Sequence, residues 1–316
     1  MNVLVTGGAG FIGSHIIDRL IRENEINLIR CLDNFSFGRV ENISHLIDNP
    51  KFDLMEGDIC NLNDCINACK DITHISHQAA IGSIPRSLND PVSTSNTNII
   101  GTINLLHAAN KSKSVNRFVF ASSSSVYGNS LEHIKLESDK CAPISPYAFS
   151  KLAGEQYLNL NFALHSLEYI CLRYFNVFGP RQRSDSHYSA VIPIFINKFL
   201  QNERPFIFGD GNNSRDFTYI DNIVNANFCA LFVKNKRSLN QVYNIGCGHL
   251  TTLNELCVII SDLVDMSVTP IFKEPRIGDI SKSVANIDKA KELLKYLPQK
   301  SLKTGLWDAI NYYKKI

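Results

Sequence analysis

The chain has 316 residues, 44% of them apolar, enough to bury a core in one large domain or two moderate ones. Its 32 basic and 30 acidic residues are interspersed and leave a net charge of +2, which argues against a nucleic-acid surface or an acidic tail. Nine scattered cysteines, odd in number and without a Cys-x-x-Cys pair, fit a reducing cytoplasmic setting better than disulfides or a metal site, and no apolar run is long enough to cross a bilayer.

Val3-Leu4-Val5-Thr6 is a strand-type run, too early in the chain for a signal peptide to fit before it. It stops at Gly7-Gly8-Ala9-Gly10-Phe11-Ile12-Gly13, and an amphipathic stretch starts at Ser14. Strand, glycine turn and helix together predict a diphosphate site: glycines remove Cβ atoms where the anion approaches, and the helix start offers free N–H groups. A second apolar run, Ile26 to Leu32, ends at Asp33, 20 residues beyond Gly13. A carboxylate there can accept both adenosine ribose hydroxyls and would repel a 2′-phosphate, so NAD is expected rather than NADP.

The next strand-like run, Phe52 to Gly57, leads to Asp58, placed either to meet the adenine amino group or to cap the helix expected over 63–68. Ile72 to Ser76 is a strand candidate ending in His77-Gln78-Ala79-Ala80, whose small residues suit close passage of a cofactor. Thr97 to Lys111 reads as a helix, and Arg117 to Ala121 as a strand running into Ser122-Ser123-Ser124-Ser125. The alternation predicts an α/β fold, a Rossmann-type doubly wound parallel sheet with ligands gathered at the carboxyl ends of its strands. After Arg173 to Pro180 the rhythm is lost. Helices are expected over 191–201, 221–233 and 253–264, a strand over 241–245, and a last helix pair split by Pro298. The expected division is a cofactor domain over 1–176, which the segment near 241–246 joins, and a smaller α/β substrate lobe over 177–316.

Tyr147-Ala148-Phe149-Ser150-Lys151 follows Ser145-Pro146, a helix start. Tyr and Lys four apart share a helix face, so the ammonium can favour tyrosinate, which can take a proton from a substrate alcohol. Spacing alone does not say which serine completes the set.

Here the chain resembles the extended short-chain dehydrogenase/reductases, specifically the nucleotide-sugar 4-epimerase group. The likeness is carried by Gly7 to Gly13, Ser122 to Gly128 ending Val126-Tyr127-Gly128, Tyr147-x-x-x-Lys151, Arg173 to Gly179 and Arg215-Asp216-Phe217. It implies Ser123 as the catalytic hydroxyl beside Tyr147 and Lys151, with Ser124 lining the sugar and Ser122 and Ser125 structural. NAD is expected against Gly7, Gly10, Phe11, Ile12, Gly13, Asp33, Asn34, Asp58, Ile59, Gln78, Ala79, Ala80, Tyr147, Lys151 and Tyr174. Family members that dehydrate or decarboxylate carry an acid where this chain has Ser124 and Ser125, so 4-epimerisation through a transient 4-keto sugar is expected. The resemblance places the UDP-sugar against Gly82, Ser83, Ser123, Ser124, Tyr147, Asn176, Ala190, Val191, Phe208, Arg215, Arg276, Asp279 and Ser283. Arg215 and Arg276 would clamp the diphosphate, Asn176 would donate to it, and Asp279 would contact the uridine ribose. Gln78 to Ser87 resembles the branch acting on UDP-N-acetylglucosamine and UDP-N-acetylgalactosamine. Ser283 falls where a small residue opens space for an acetamido group. The alternatives are a UDP-glucuronate 4-epimerase, with Arg86 facing the carboxylate, a UDP-glucose/UDP-galactose 4-epimerase, or a non-catalytic nucleotide-binding protein. Helices 97–111 and 147–164 are the pair this family buries in a homodimer; no nucleic acid, membrane or metal partner is expected.

Overall fold

The computed structural model describes residues 1–130, 132–184, 190–266, 268–275 and 282–315. The chain opens with β1 (Asn2–Thr6), α1 (Phe11–Leu20), β2 (Leu28–Asp33), β3 (Phe52–Glu56), α2 (Leu62–Ala68) and β4 (His74–His77). Two short helices follow, α3 (Ile84–Asn89) and α4 (Pro91–Ser95), each with a proline in its first turn, where a missing N–H costs little. A π turn, Asn96–Ile100, then feeds α5 (Gly101–Ser112). Next come β5 (Arg117–Ser123), the two-residue β6 (Ile134–Lys135), α6 (Pro146–His165) and β7 (Glu168–Tyr174). The rest comprises β8 (Val177–Phe178), α7 (Val191–Leu200), β9 (Phe206–Phe208), β10 (Ser214–Arg215), β11 (Thr218–Tyr219), α8 (Ile220–Phe232) and β12 (Gln241–Ile245). It ends with β13 (Thr251–Thr252), α9 (Leu253–Val264), β14 (Ile271–Lys273), β15 (Lys282–Ala285) and α10 (Leu302–Tyr313).

Seven strands form one sheet in the order β3-β2-β1-β4-β5-β7-β12, every neighbouring pair parallel. Its strands read as continuous apolar runs because helices bury both faces. Side chains alternate between the faces: Val3, Val5, Val119 and Ala121 join the core under α1 and α8, whereas Leu4, Phe118 and Phe120 join the core with α5 and α6. Strand order reverses on either side of β1, so a crevice opens beyond the carboxyl ends of β1 and β4. A four-stranded sheet, β13-β10-β15-β6, and two small parallel pairs, β8 with β11 and β9 with β14, complete the structure.

The chain crosses between the two halves more often than a boundary at 176 suggests. β12 joins the large sheet, as expected of the segment near 241–246; α8 also packs on that sheet, while β6, from the first half, joins the four-stranded one. Other boundaries also move. Helix α1 begins at Phe11 rather than Ser14, because Gly13 fits inside its first turn. The strand expected over 72–76 is His74–His77. The helix expected over 97–111 continues a stretch that begins at Pro91; its π turn breaks the 3.6-residue stripe on which the reading relied. Of the C-terminal helix pair, the first member is one π turn, Ala290–Leu294. Among the described residues no helix is long and apolar enough to cross a membrane.

Candidate active site

The glycine turn does two kinds of work. Gly7 adopts φ +65°, and a Cβ on it would stand 2.8 Å from the backbone of Ala79, so β1 and β4 close together only around glycine. A Cβ on Gly13 would lie 2.2 Å from Gly7 O, which lets α1 pack onto the turn. A Cβ on Gly10 would meet only Gly7 O, at 3.1 Å, so this glycine leaves open space instead. Gly10 caps α1 without a side-chain hydrogen bond, and the first intrahelical bond runs from Ser14 N to Gly10 O. The N–H groups of Phe11, Ile12 and Gly13 thus precede the helical ladder, a cradle that fits the diphosphate of a dinucleotide.

Asp33, at the end of β2, is buried. Its Oδ2 accepts from Ala9 N and its Oδ1 from Phe35 N, both at 2.9 Å. Burial raises its pKa, partly offset by those two N–H bonds. Each oxygen keeps a lone pair for a ribose hydroxyl. Gly38 was missed from the sequence: a Cβ there would come within 2.9 Å of both carboxylate oxygens. Asp58 does not end a strand, since β3 stops at Glu56, and the cap of α2 is Asn61. Asp58 instead binds Asn34 Nδ2 at 2.9 Å and Cys60 N at 2.8 Å, with Ile59 buried beside it.

Just beyond β4, Ala79 N donates to Thr6 Oγ1 at 3.3 Å. His77 bridges Thr6 Oγ1 at 2.7 Å and Thr102 Oγ1 at 2.9 Å. Thr102 Oγ1 donates to Asn98 O, so His77 must donate from Nε2 and accept at Nδ1. Burial holds this imidazole neutral, at about 3. Asn98, also missed, sits in the π turn. Its amide accepts from Ile81 N at 2.8 Å, donates to Ile81 O at 3.2 Å and donates to Ser150 Oγ at 2.9 Å. It thereby ties the segment after Ala80 to the helix of Tyr147. No spacing rule exposes that role, because it depends on the extra residue in the turn. A Cβ on Gly82 would meet nothing within 4 Å, and the Ser83 hydroxyl caps α3 by accepting from Arg86 N.

Ser145 caps α6 by accepting from Ala148 N, which aims the first turn of that helix at the end of β5. Ser123 Oγ accepts from Ser125 N at 3.2 Å and from Ser125 Oγ at 2.9 Å. Its own hydroxyl is bonded to Tyr147. Burial pushes the Tyr147 phenol above its ordinary value, and the bond from Ser123 pulls it part of the way back. Lys151 Nζ donates to Ala121 O at 2.8 Å and lies 5.9 Å from the Tyr147 ring centre. Burial lowers this ammonium to about 8. Ser124 opens the 3-10 turn after β5. Ser122 faces away and donates to Glu155, which also holds Arg173 through Nε at 2.9 Å and Nη2 at 2.7 Å.

Tyr174 is the cross-strand partner of Ser123. Its hydroxyl accepts from Asn227 Nδ2 at 2.7 Å and meets Gln78 Oε1 at 3.3 Å, so α8 also reaches the crevice. Asn176 follows at φ +29°, and its Nδ2 donates to Asp216 O at 3.1 Å. Arg215 and Ser283 are register partners on β10 and β15. The structure thus brings Asn176, Arg215 and Ser283 around Asp216. Ala190 and Val191 open α7, and Phe208 closes β9, on separate elements. Arg276 and Asp279 lie outside the described residues. Arg86, the candidate partner of a carboxylate in the uronate alternative, stacks over Phe37 at 4.3 Å, in the loop that follows Asp33. Among the described residues no cluster of three or more His, Cys, Asp or Glu could hold a metal ion.

The model of the NAD dependent epimerase/dehydratase family matches residues 3–246. A putative UDP-glucose 4-epimerase of Methanocaldococcus jannaschii is 41% identical over 315 residues, covering 99% of this chain and 98% of that one. The structure of a UDP-N-acetylglucosamine 4-epimerase from Methanobrevibacter ruminantium, in complex with UDP-N-acetylmuramic acid, matches at TM-score 0.92 and 36% identity, covering 99% and 98% of the two chains. A UDP-glucuronic acid 4-epimerase from Bacillus cereus, in complex with UDP-glucuronic acid and NAD, matches at TM-score 0.92 and 33% identity, covering 100% and 99%. These relatives are named for three different sugars. The family match runs through both the glycine cradle and the Ser123–Tyr147–Lys151 cluster, and the chain belongs to the NAD dependent epimerase/dehydratase family.

Proposed function

We propose that this chain is an NAD-dependent 4-epimerase of UDP-sugars whose substrates are UDP-N-acetylglucosamine and UDP-N-acetylgalactosamine. The observation that carries the epimerase reading is the Ser123–Tyr147–Lys151 cluster at the end of β5, beside the glycine cradle and with only serines at 124 and 125. When bound, NAD supplies the acceptor, and afterwards the donor, of one hydride. Tyr147 takes the proton of the C4 hydroxyl, with Ser123 sharing the hydrogen bond and Lys151 stabilising the phenolate. After the 4-keto sugar has turned over, Tyr147 returns the proton on the other face. Arg215 and Asn176 hold the diphosphate while the sugar rotates, so the grip falls on the part that does not react.

Ser283 favours the N-acetylhexosamines. It stands across from Arg215 in the register of β10 and β15, and by the resemblance it takes the place where a small residue admits an acetamido group. The test is a panel of UDP-sugars without added NAD, scored for C4 isomers by NMR. Ser283→Tyr is expected to abolish turnover of acetylated sugars while sparing UDP-glucose; equal loss on both would sink the assignment.

The working unit is a cytoplasmic homodimer. In support, α5 and α6 pack side by side and, with the preceding π turn, leave Ile100, Phe149, Tyr157, Leu160 and Leu164 exposed, more apolar surface than isolated solvated side chains explain. Sedimentation is expected to give the mass of two chains; the mass of one would overturn this.

A further inference from the structure

Asp216 is fully buried, yet the chemistry above does not use it. Every polar group it owns is engaged. Its Oδ1 accepts from Cys247 N at 2.9 Å, and its Oδ2 accepts from Gly248 N at 2.9 Å and Ala285 N at 3.2 Å. Its backbone N donates to Ser283 O at 3.1 Å, and its backbone O accepts from Asn176 Nδ2 at 3.1 Å. Five hydrogen bonds therefore join four segments: the turn after β7, the end of β10, the loop after β12, and β15. A buried carboxylate is costly unless N–H donors surround it, and here three backbone donors do so.

Three of the residues assigned to substrate lie one bond or one residue from this carboxyl-bearing residue. Arg215 precedes it. Ser283 is held at its carbonyl by the Asp216 backbone, and two residues further on Ala285 is held by the side chain, so β15 is pinned on both sides of Val284. Asn176 keeps its positive φ with its amide fixed on Asp216 O and its carbonyl on Thr218 N, at 3.1 Å. Gly246 shows how closely the site is built: a Cβ there would stand 2.6 Å from Asp216 Oδ2.

We propose that Asp216 is a positioning residue that sets Asn176, Arg215 and Ser283 relative to one another, and so couples the grip on the diphosphate to the wall beside the sugar. The inference rests on the assignment of those three residues to the substrate. It predicts a loss in binding rather than in chemistry, because Tyr147 and the glycine cradle lie on other elements.

The test uses the full-length, NAD-loaded protein. Asp216→Asn keeps the shape but replaces one acceptor with a donor facing N–H groups. It is expected to raise KM for the UDP-sugar, and the inhibition constant of UDP, by about 10-fold or more, the effect of weakening a charge-assisted hydrogen bond. kcat and bound NAD should stay close to wild type. Arg215→Met is run beside it. If Arg215→Met weakens UDP and Asp216→Asn does not, the positioning role is wrong and the substrate assignment stands. If Arg215→Met also leaves UDP unchanged, the assignment itself is wrong and the inference goes with it. Loss of kcat and NAD at unchanged KM would likewise overturn it. Should Asp216→Asn fail to fold, Gly246→Ala, which presses on the same carboxylate without changing its charge, is judged by the same criteria.

Discussion

Tyr147→Phe is expected to lower kcat by about 1,000-fold, within the range general acid–base catalysis supplies, while the protein stays folded and keeps its NAD. The ring is retained and only the hydroxyl bonded to Ser123 is removed, so a protein that kept full turnover would refute the proposed chemistry. The same pair sets a pH dependence. Below about 8 Lys151 is an ammonium and Tyr147, raised by burial, is a phenol, so the pair has no base to offer. As pH rises, the pair loses its first proton and a tyrosinate stabilised by the ammonium becomes accessible. Activity should therefore increase as pH rises toward the first deprotonation of the coupled pair, and NAD⁺, being positive, shifts that limb lower. Lys151→Met removes the favourable charge 5.9 Å from the ring, so the limb should move to higher pH. A limb that stayed in place would show that the ammonium does not assist the phenolate.

The second large effect lies behind α6. Glu155 and Arg173 are both nearly inaccessible, at 3% and 4% exposure. Their two hydrogen bonds join α6 to β7, Ser122 adds β5, and Tyr127 extends the network to Asn244 on β12, at 2.6 Å. Removing one charge strands the other in a low-dielectric interior. Glu155→Gln is therefore expected to cost about 3–5 kcal/mol, read from the midpoint of urea unfolding. The double variant Glu155→Met/Arg173→Met should recover more than half of that, because it leaves no unpaired charge. A single variant as stable as wild type would mean that water or another side chain takes over the guanidinium.

Much of the large sheet is legible along the chain because each of its strands is bounded locally. Apolar runs, glycine turns and helix starts recur at short range, and Gly7, Asp33, Ser123 and Tyr147 all fall at the ends of such elements. The four-stranded sheet is another matter. β6, β10 and β13 have two residues each, too few to show a period, and exist because partners distant in sequence supply their hydrogen bonds. Asn98 belongs to the same class: its side chain acts through a π turn that no regular pattern announces.

Sequence by itself determined the alternating α/β plan, the glycine turn before α1 and the Tyr147–Lys151 pair, since each is encoded within a few residues by glycine geometry, strand patterning or helical spacing. Tertiary structure alone decided that α8 returns to the large sheet, that Arg86 stacks on Phe37, and that Asn176, Arg215 and Ser283 meet around Asp216. Those outcomes depend on closing long loops to satisfy buried polar groups, and a carboxylate records its partners only once the chain has brought them to it.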